Sequence, residues 1–186
     1  MGVSRQDAKA HTFKPLYGGV LGTSREMAYY SAFRNKYQGV TEWHDKLQEE
    51  AVTTKQVVLP SGREYAFHYA KYTKYGKTVG ATSIKNYPVQ GFATADLLPL
   101  ALIRLHKSMK AMQKPVPKSK IINTVHDSII MDVHPDEKDW MINLLQRSML
   151  CIPEECKEQF GIDFDMPIEI ELKIGKDWLN LEELEI

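Results

Sequence analysis

His126, Asp127 and Ser128 stand between two apolar, β-branched runs, Ile121 to Val125 and Ile129 to Val133. That arrangement predicts a β-hairpin with the His-Asp pair at its tip. A carboxylate in such a turn has two uses: it bonds the turn's own amides, or it is held rigid and forward to bind a metal ion. These residues alone leave both open. A second set is Arg5, Lys9, Phe13 and Tyr17. Spacing by four puts them on one slowly drifting face of a helix with ~3.6 residues per turn. Two cations followed by two rings suit a nucleoside triphosphate, the cations meeting phosphates and the rings meeting sugar and base. A solvated helix face produces the same spacing and is the commoner origin of it. Asn86 and Gln90, also four apart, carry amides able to bond the acceptors that every base pair shows in the minor groove.

The elements that must position these groups are legible in outline. Ser4 followed by Asp7 predicts a helix start, and Thr23-Ser24-Arg25-Glu26 predicts a second, running to about Tyr37 with Tyr29, Tyr30 and Phe33 inward. Pro15 should kink or end the first helix near Lys14, and Gly18-Gly19 should break it. After a turn at Gln38-Gly39, a helix from about Val40 carries Trp43, Leu47 and Ala51 on one side. Gln56 to Leu59 and Arg63 to Phe67 should pair across Pro60-Ser61-Gly62. From Arg63 to Lys85, tyrosines interleave with cations, a mixture suited to a sugar-phosphate backbone and stacked bases but also to a polar loop. Gly76 and Gly80 in it point to mobility. Pro88 fits a helix entry, with Ala95, Leu98, Leu102 and Leu105 inward and a bend at Pro99. Gln113 to Lys118 is a Pro-rich connector. Pro135-Asp136-Glu137 opens a helix to about Leu150 with Trp140, Leu144 and Leu145 inward; Cys151 to Met166 is a connector with one short helix; Ile168, Ile170 and Leu172 alternate as a strand.

With 186 residues and 43% hydrophobic content, the chain can bury a core of its own, as one domain or a large piece of one. Lysine and arginine number 24, and aspartate and glutamate also 24, which argues against a globally basic nucleic-acid binder. The charge is uneven: Arg104 to Lys120 holds six cations and no acid, whereas acids prevail from Glu154 onward. Cys151 and Cys156 make neither a disulfide framework nor a zinc set and are expected as reduced thiols. With no leader, no spanning run, and Gln6 at odds with myristoylation after Met1-Gly2, a soluble cytoplasmic protein with no membrane partner is expected.

Arg5-x3-Lys9-x3-Phe13-x3-Tyr17-Gly18 resembles the nucleotide-binding helix of the family A DNA polymerases. The likeness continues. Asn86-Tyr87-Pro88-Val89-Gln90-Gly91 is similar to the segment that contacts primer and template, Val125-His126-Asp127-Ser128 to the palm motif Val-His-Asp-Glu, and Gly175-Lys176-Asp177-Trp178 to the Gly-x-x-Trp closing signature. The resemblance implies an α+β fold: a fingers end over 1–55 with the nucleotide-binding helix, and a palm end over 56–186 whose antiparallel hairpin, 120–134, packs on helices. It implies a DNA-directed DNA polymerase of a bacterial or phage-infected cell. Lys9 and Arg5 would hold the triphosphate, Lys9 with a catalytic part, while Phe13 and Tyr17 position sugar and base. Asn86 and Gln90 would contact DNA, His126 would lie near the primer end, and Asp127 would bind the catalytic Mg2+. Phe13 in place of Tyr implies poor acceptance of nucleotides lacking a 3′-hydroxyl. Two departures stand out: Ser128 replaces the motif's Glu, and Thr82 stands where the family often has Arg.

Two ions ~3.5–4 Å apart need more than one carboxylate. Asp132, five residues along the return strand, would stand roughly 15 Å from Asp127 at ~3.3 Å per residue. The family's other palm carboxylate lies upstream of the nucleotide-binding helix. The expected partners are therefore primer-template DNA, a dNTP and an upstream polymerase fragment acting in trans, with the isolated chain inactive. The alternative is a catalytically inactive remnant that grips DNA or a replisome partner.

Overall fold

The structure, a computed structural model, describes residues 4–18, 22–112 and 116–184, without the side chains of Arg5, Gln6 and Ala10. Gly19 and Gln113 to Pro115, named in the expectations above, lie outside the described residues, as does the Arg5 side chain. Among the described residues, helices and three two-stranded antiparallel sheets make up an α+β chain that divides into two compact units, Met1–Phe92 and Ala93–Ile186.

The first unit opens with α1 (Arg5–Tyr17). The Ser4 Oγ accepts the Asp7 amide at 3.1 Å, satisfying one of the orphan donors of the first turn. Pro15 does not end this helix. It sits buried in the last turn, and the Gly18 amide bonds the Lys14 carbonyl at 2.9 Å, so only the bond from position 15 is forfeited. In α2 (Ser24–Lys36), Thr23 and Glu26 form the complete reciprocal capping box. Only Tyr30 of its aromatic trio is fully buried; Tyr29 is exposed. Helix α3 (Gln38–Thr54) begins at Gln38 and takes Gly39 in as a helical residue. Its buried stripe is His44, Leu47 and Ala51, with Trp43 exposed one step around the helix.

Strands β1 (Gln56–Val58) and β2 (Glu64–Ala66) pair as expected, Val57 facing Tyr65, with Gly62 at φ 84° in the turn. Leu47, Ala51, Val57, Phe67, Ala70 and Ile84 form the core of this unit. The glycines at 76 and 80, expected to lend mobility, stand at positive φ in hydrogen-bonded turns, which a residue with a Cβ enters at a cost. Helix α4 (Ala81–Gly91) starts seven residues before Pro88, which lies buried within it rather than at its entry. A Cβ at Gly91 would overlap the Tyr65 hydroxyl, so a larger residue there would displace that ring.

A π-helical segment, Phe92–Leu97, follows, and α5 (Leu98–Ala111) begins with Pro99 in its first turn. The expected mid-helix bend is thus a change of helical winding. The helical backbone runs on through this region, and the wider π turn before Pro99 accommodates its ring and missing amide. Leu98, Leu100, Ala101 and Leu105 are buried, while Ala95 and Leu102 are only half-buried. The three-residue 3-10 turn Pro135–Glu137 leads into α6 (Lys138–Leu150), then α7 (Ile152–Phe160). Met141 and Ser148 occupy the most buried positions of α6, with Trp140, Leu144 and Leu145 at its margins. Helices α5, α6 and α7 pack on one another, and Arg104 bonds Glu155 at 3.0 Å between α5 and α7. Cys151 and Cys156 are both free thiols.

The hairpin of this unit is β3 (Lys120–Val125) and β4 (Ser128–Asp132). The strand expected over 168–172 begins only at Leu172: β5 (Leu172–Ile174) pairs with a strand the pattern did not announce, β6 (Glu182–Leu184). Ile168 and Ile170 are half-buried without a ladder, so their alternation reflects side-chain packing rather than strand pairing. Asp177 makes the intervening turn, accepting the Leu179 and Asn180 amides at 3.0 and 2.9 Å.

Candidate active site

The stripe expected along α1 is a physical contact series. Lys9 Nζ lies 5.6 Å from the Phe13 ring centroid, and the Phe13 and Tyr17 rings are stacked, 5.8 Å apart with planes at 20°. Spacing by four on a helix brings successive side chains over one another, which turns sequence period into adjacency. Phe13 remains 45% exposed, so the stripe keeps a face open to a ligand. Tyr17 closes the stripe at its C-terminal end, where burial raises its phenol above the usual range.

Behind Tyr17, and wholly within the first unit, is a cavity of about 570 Å³ whose wall includes Arg34, Tyr37, His44, Asp45, Thr82 and Lys85. Its size falls in the range of small-ligand sites. The His44 ring centroid lies 6.2 Å from that of Tyr17 and 5.1 Å from that of Trp43. Burial, reinforced by the Lys85 cation, lowers its pKa to about 4, so the imidazole is neutral at pH 7. Burial also lowers the pKa of Lys85, with Arg34 adding like-charge repulsion. The Lys85 ammonium donates to the Gly18 carbonyl at 3.4 Å, a cation at the C-terminal end of the helix that bears the stripe. Arg34 and His44 escaped sequence reasoning. Lys85 entered it only as the last cation of the tyrosine-rich stretch, in a helix whose start Pro88 concealed.

Asn86 and Gln90 share one face of α4, as their spacing required, and the Asn86 Nδ2 donates to the Gln90 Oε1 at 3.3 Å. That bond orients the two amides relative to each other.

His126 and Asp127 belong to the second unit. Val125 pairs with Ser128, leaving a two-residue turn of His126 and Asp127. His126 takes φ 52°, the left-handed value demanded at the first position of such a turn. Ser128, inside β4, donates its hydroxyl to the Val125 carbonyl at 2.8 Å and so closes the turn. Asp127 is exposed, and its carboxylate makes no hydrogen bond or ion pair to a described residue. The alternative in which Asp127 serves its own turn amides is therefore not the one observed. Asp132 pairs with Lys120 at the opposite end of the ladder, away from the tip. A β-bulge between Ile121 and Asn123 shifts the register partway up β3 and leaves Ile122 59% exposed.

The base of the hairpin is clamped. The Glu137 carboxylate accepts the Lys118 amide at 2.8 Å, the Ser119 amide at 2.9 Å and the Ser119 hydroxyl at 2.6 Å. Ser119 Oγ in turn accepts the His134 amide at 3.0 Å, tying the chain entering β3 to the chain leaving β4. The Lys118 amide, followed by the two Ser119 donors, holds the Glu137 pKa at about 2.

Asp127 fits one oxygen ligand of a hard divalent ion such as Mg2+, being exposed and with no hydrogen bond or ion pair to a described residue. Among the described residues there is no group of three or more His, Cys, Asp or Glu arranged to hold a metal. Asp127 therefore fits as one member of a shared donor set rather than as a complete site.

Comparison with known proteins adds the context. Residues 2–180 match the family model described as DNA polymerase family A. DNA polymerase I of Lactococcus lactis subsp. lactis is 29% identical over 184 residues, covering 94% of this chain and 20% of that protein. DNA polymerase I of Aquifex aeolicus is 27% identical over 192 residues, covering 94% and 30%. The chain thus spans less than a third of the length of the curated relatives it matches. Among solved structures, the POL domain of Pol1 from M. smegmatis, complexed with DNA primer-template and dNTP, superposes with a TM-score of 0.67 at 19% identity, over 80% of this chain and 27% of that one. At that identity the likeness is one of fold.

Proposed function

Because the chain belongs to DNA polymerase family A, we propose that these residues supply part of a site for template-directed addition of a dNTP to a primer 3′ end. The observation that carries this is the continuous Lys9–Phe13–Tyr17 stripe, one cation and two stacked rings along an open helix face. In the reaction the primer 3′-oxygen bonds to the α-phosphorus of the dNTP, the bond from that phosphorus to the bridging oxygen breaks, and pyrophosphate leaves. Lys9, with Arg5 a turn before it, holds the triphosphate and balances its charge as it shifts toward the leaving group. Phe13 and Tyr17 position sugar and base. Asn86 and Gln90, oriented relative to each other by their mutual bond, meet the minor-groove edge of the primer-template, and His126 lies toward the primer end.

Asp127 is the carboxylate through which Mg2+ would be held, and the ions of such a site supply charge stabilisation at the attacking and leaving oxygens. One carboxylate does not hold two ions. The remaining donor comes from residues beyond these 186, on the same polypeptide or on a separate one acting in trans. By role, 1–55 serve as the fingers-type part and 56–186 as the palm-type part.

The test is primer extension by the chain combined with a family A segment bearing the second carboxylate. Mg2+-dependent extension that falls when Lys9 is changed supports the reading. Extension indifferent to Lys9 returns the stripe to a solvated helix face. DNA binding with no extension favours the inactive, DNA-gripping alternative.

A further inference from the structure

We propose that the segment from Tyr69 to Val79 is a docking surface for single-stranded nucleic acid, formed by exposed tyrosines among unpaired lysines. Between Glu64 and Asp96 the chain holds no acidic residue, and Lys71, Lys74, Lys77 and Lys85 are its cations. Lys71, Lys74 and Lys77 are exposed, and none makes an ion pair with a described residue. A cationic surface without internal counter-charge is complementary to a polyanion. Tyr72 is 53% and Tyr75 76% exposed, and Lys74 Nζ lies 4.9 Å from the Tyr75 ring centroid.

The presentation is ordered beforehand. The Thr73 amide bonds the Lys77 carbonyl at 2.8 Å, the Gly76 amide bonds the Thr73 carbonyl at 2.9 Å, and the Val79 amide bonds the Lys71 carbonyl at 2.9 Å. Thr73 Oγ1 accepts the Lys77 amide at 3.1 Å, and Tyr72 forms an antiparallel bridge with Thr78. Tyr69 is fixed from one side, its ring packed on Gly80 so closely that no Cβ would fit. A turn built this firmly, yet leaving its rings in water, loses little further freedom when it binds.

The rings select the kind of polyanion. In a duplex the base faces are already stacked on one another, whereas a single strand offers them to aromatic side chains and its backbone to lysines. On the polymerase proposal that strand would be unpaired template. The inference itself rests on this segment alone and involves no metal, dNTP or primer.

The experiment measures binding of the 186-residue chain to a fluorescent oligothymidylate and to a duplex of equal length by anisotropy, without Mg2+ or dNTP. Wild type is compared with Tyr72→Ala/Tyr75→Ala and with Tyr72→Phe/Tyr75→Phe. Single-strand affinity should fall about tenfold or more in the alanine pair and stay within about twofold in the phenylalanine pair, with duplex binding unchanged in both. Lys71→Gln/Lys74→Gln/Lys77→Gln should flatten the salt dependence. The proposal is overturned if the alanine pair binds as wild type or if single strand and duplex weaken alike. It is equally overturned if the phenylalanine pair loses as much as the alanine pair, since hydroxyls and not ring faces would then make the contact. Single Tyr75→Ala, at the more exposed ring, repeats the comparison should the double variant melt early.

Discussion

At the residue scale, a helix period of four became a stack: Lys9 on Phe13, Phe13 on Tyr17. If Lys9 meets the triphosphate, Lys9→Ala in the completed enzyme should slow dNTP incorporation ~100-fold or more, the size of losing one transition-state donor. DNA affinity, measured in parallel, should hardly change. Asp127 and Ser128 offer a sharper comparison because they are neighbours with different duties. Asp127 is free of internal bonds, while Ser128 Oγ closes the turn on the Val125 carbonyl. Asp127→Asn removes the charge and no internal contact, so extension should collapse while the melting curve stays put; exposed substitutions of this kind cost within ~0.5 kcal/mol. Ser128→Ala removes a turn bond and no metal ligand, so a small stability loss with most extension retained is expected. If Asp127→Asn extends as well as wild type, Asp127 is not a metal ligand.

At the scale of elements, the hairpin owes its fixed base to Glu137. The carboxylate accepts three donors from Lys118 and Ser119, and Ser119 passes the tie on to His134. The sign of the pH effect follows. The folded pKa, about 2, lies below the ordinary 4.5, so the stabilisation is complete above 4.5 and is lost as pH falls from 4.5 towards 2. Glu137→Gln should therefore be less stable than wild type at pH 7, and the gap should close across that window. Melts of both proteins at stepped pH check this; a gap constant from pH 7 to 2 would contradict the ionic character of the clamp. A second element-scale expectation concerns the box at the start of α2, where Thr23 bonds the Glu26 amide and Glu26 returns a bond. Thr23→Ala should cost about 0.5–2 kcal/mol in denaturant unfolding.

At the scale of the whole molecule, the proposed function divides the chemistry between what these residues hold and what they need. One exposed carboxylate at a hairpin tip does not organise both oxygens of an in-line displacement. The 186-residue chain by itself should then add no nucleotide to a primed template, and addition should appear when the second carboxylate is supplied. Steady extension by the purified chain alone would refute the shared-donor reading.

The sequence by itself determined the features governed by short-range rules. Capping at Ser4 and Thr23, the pairing of β1 with β2, the tip of the β3–β4 hairpin and the stripe on α1 all follow from periods and cap chemistry within a few residues. Proline misled. Pro15 was expected to kink or end its helix and Pro88 to open one, but both lie buried within helices, because the surrounding packing outweighs one lost amide bond and its clash. Pairing between distant segments was equally hidden: β6 became a strand only through β5, and Glu137 became a clamp only when folding brought residues 118 and 119 to it. The cavity behind Tyr17 draws its wall from α1, α2, α3, α4 and the turn before α4. No local pattern records such a juxtaposition, since it depends on how helices pack and not on what any one of them contains.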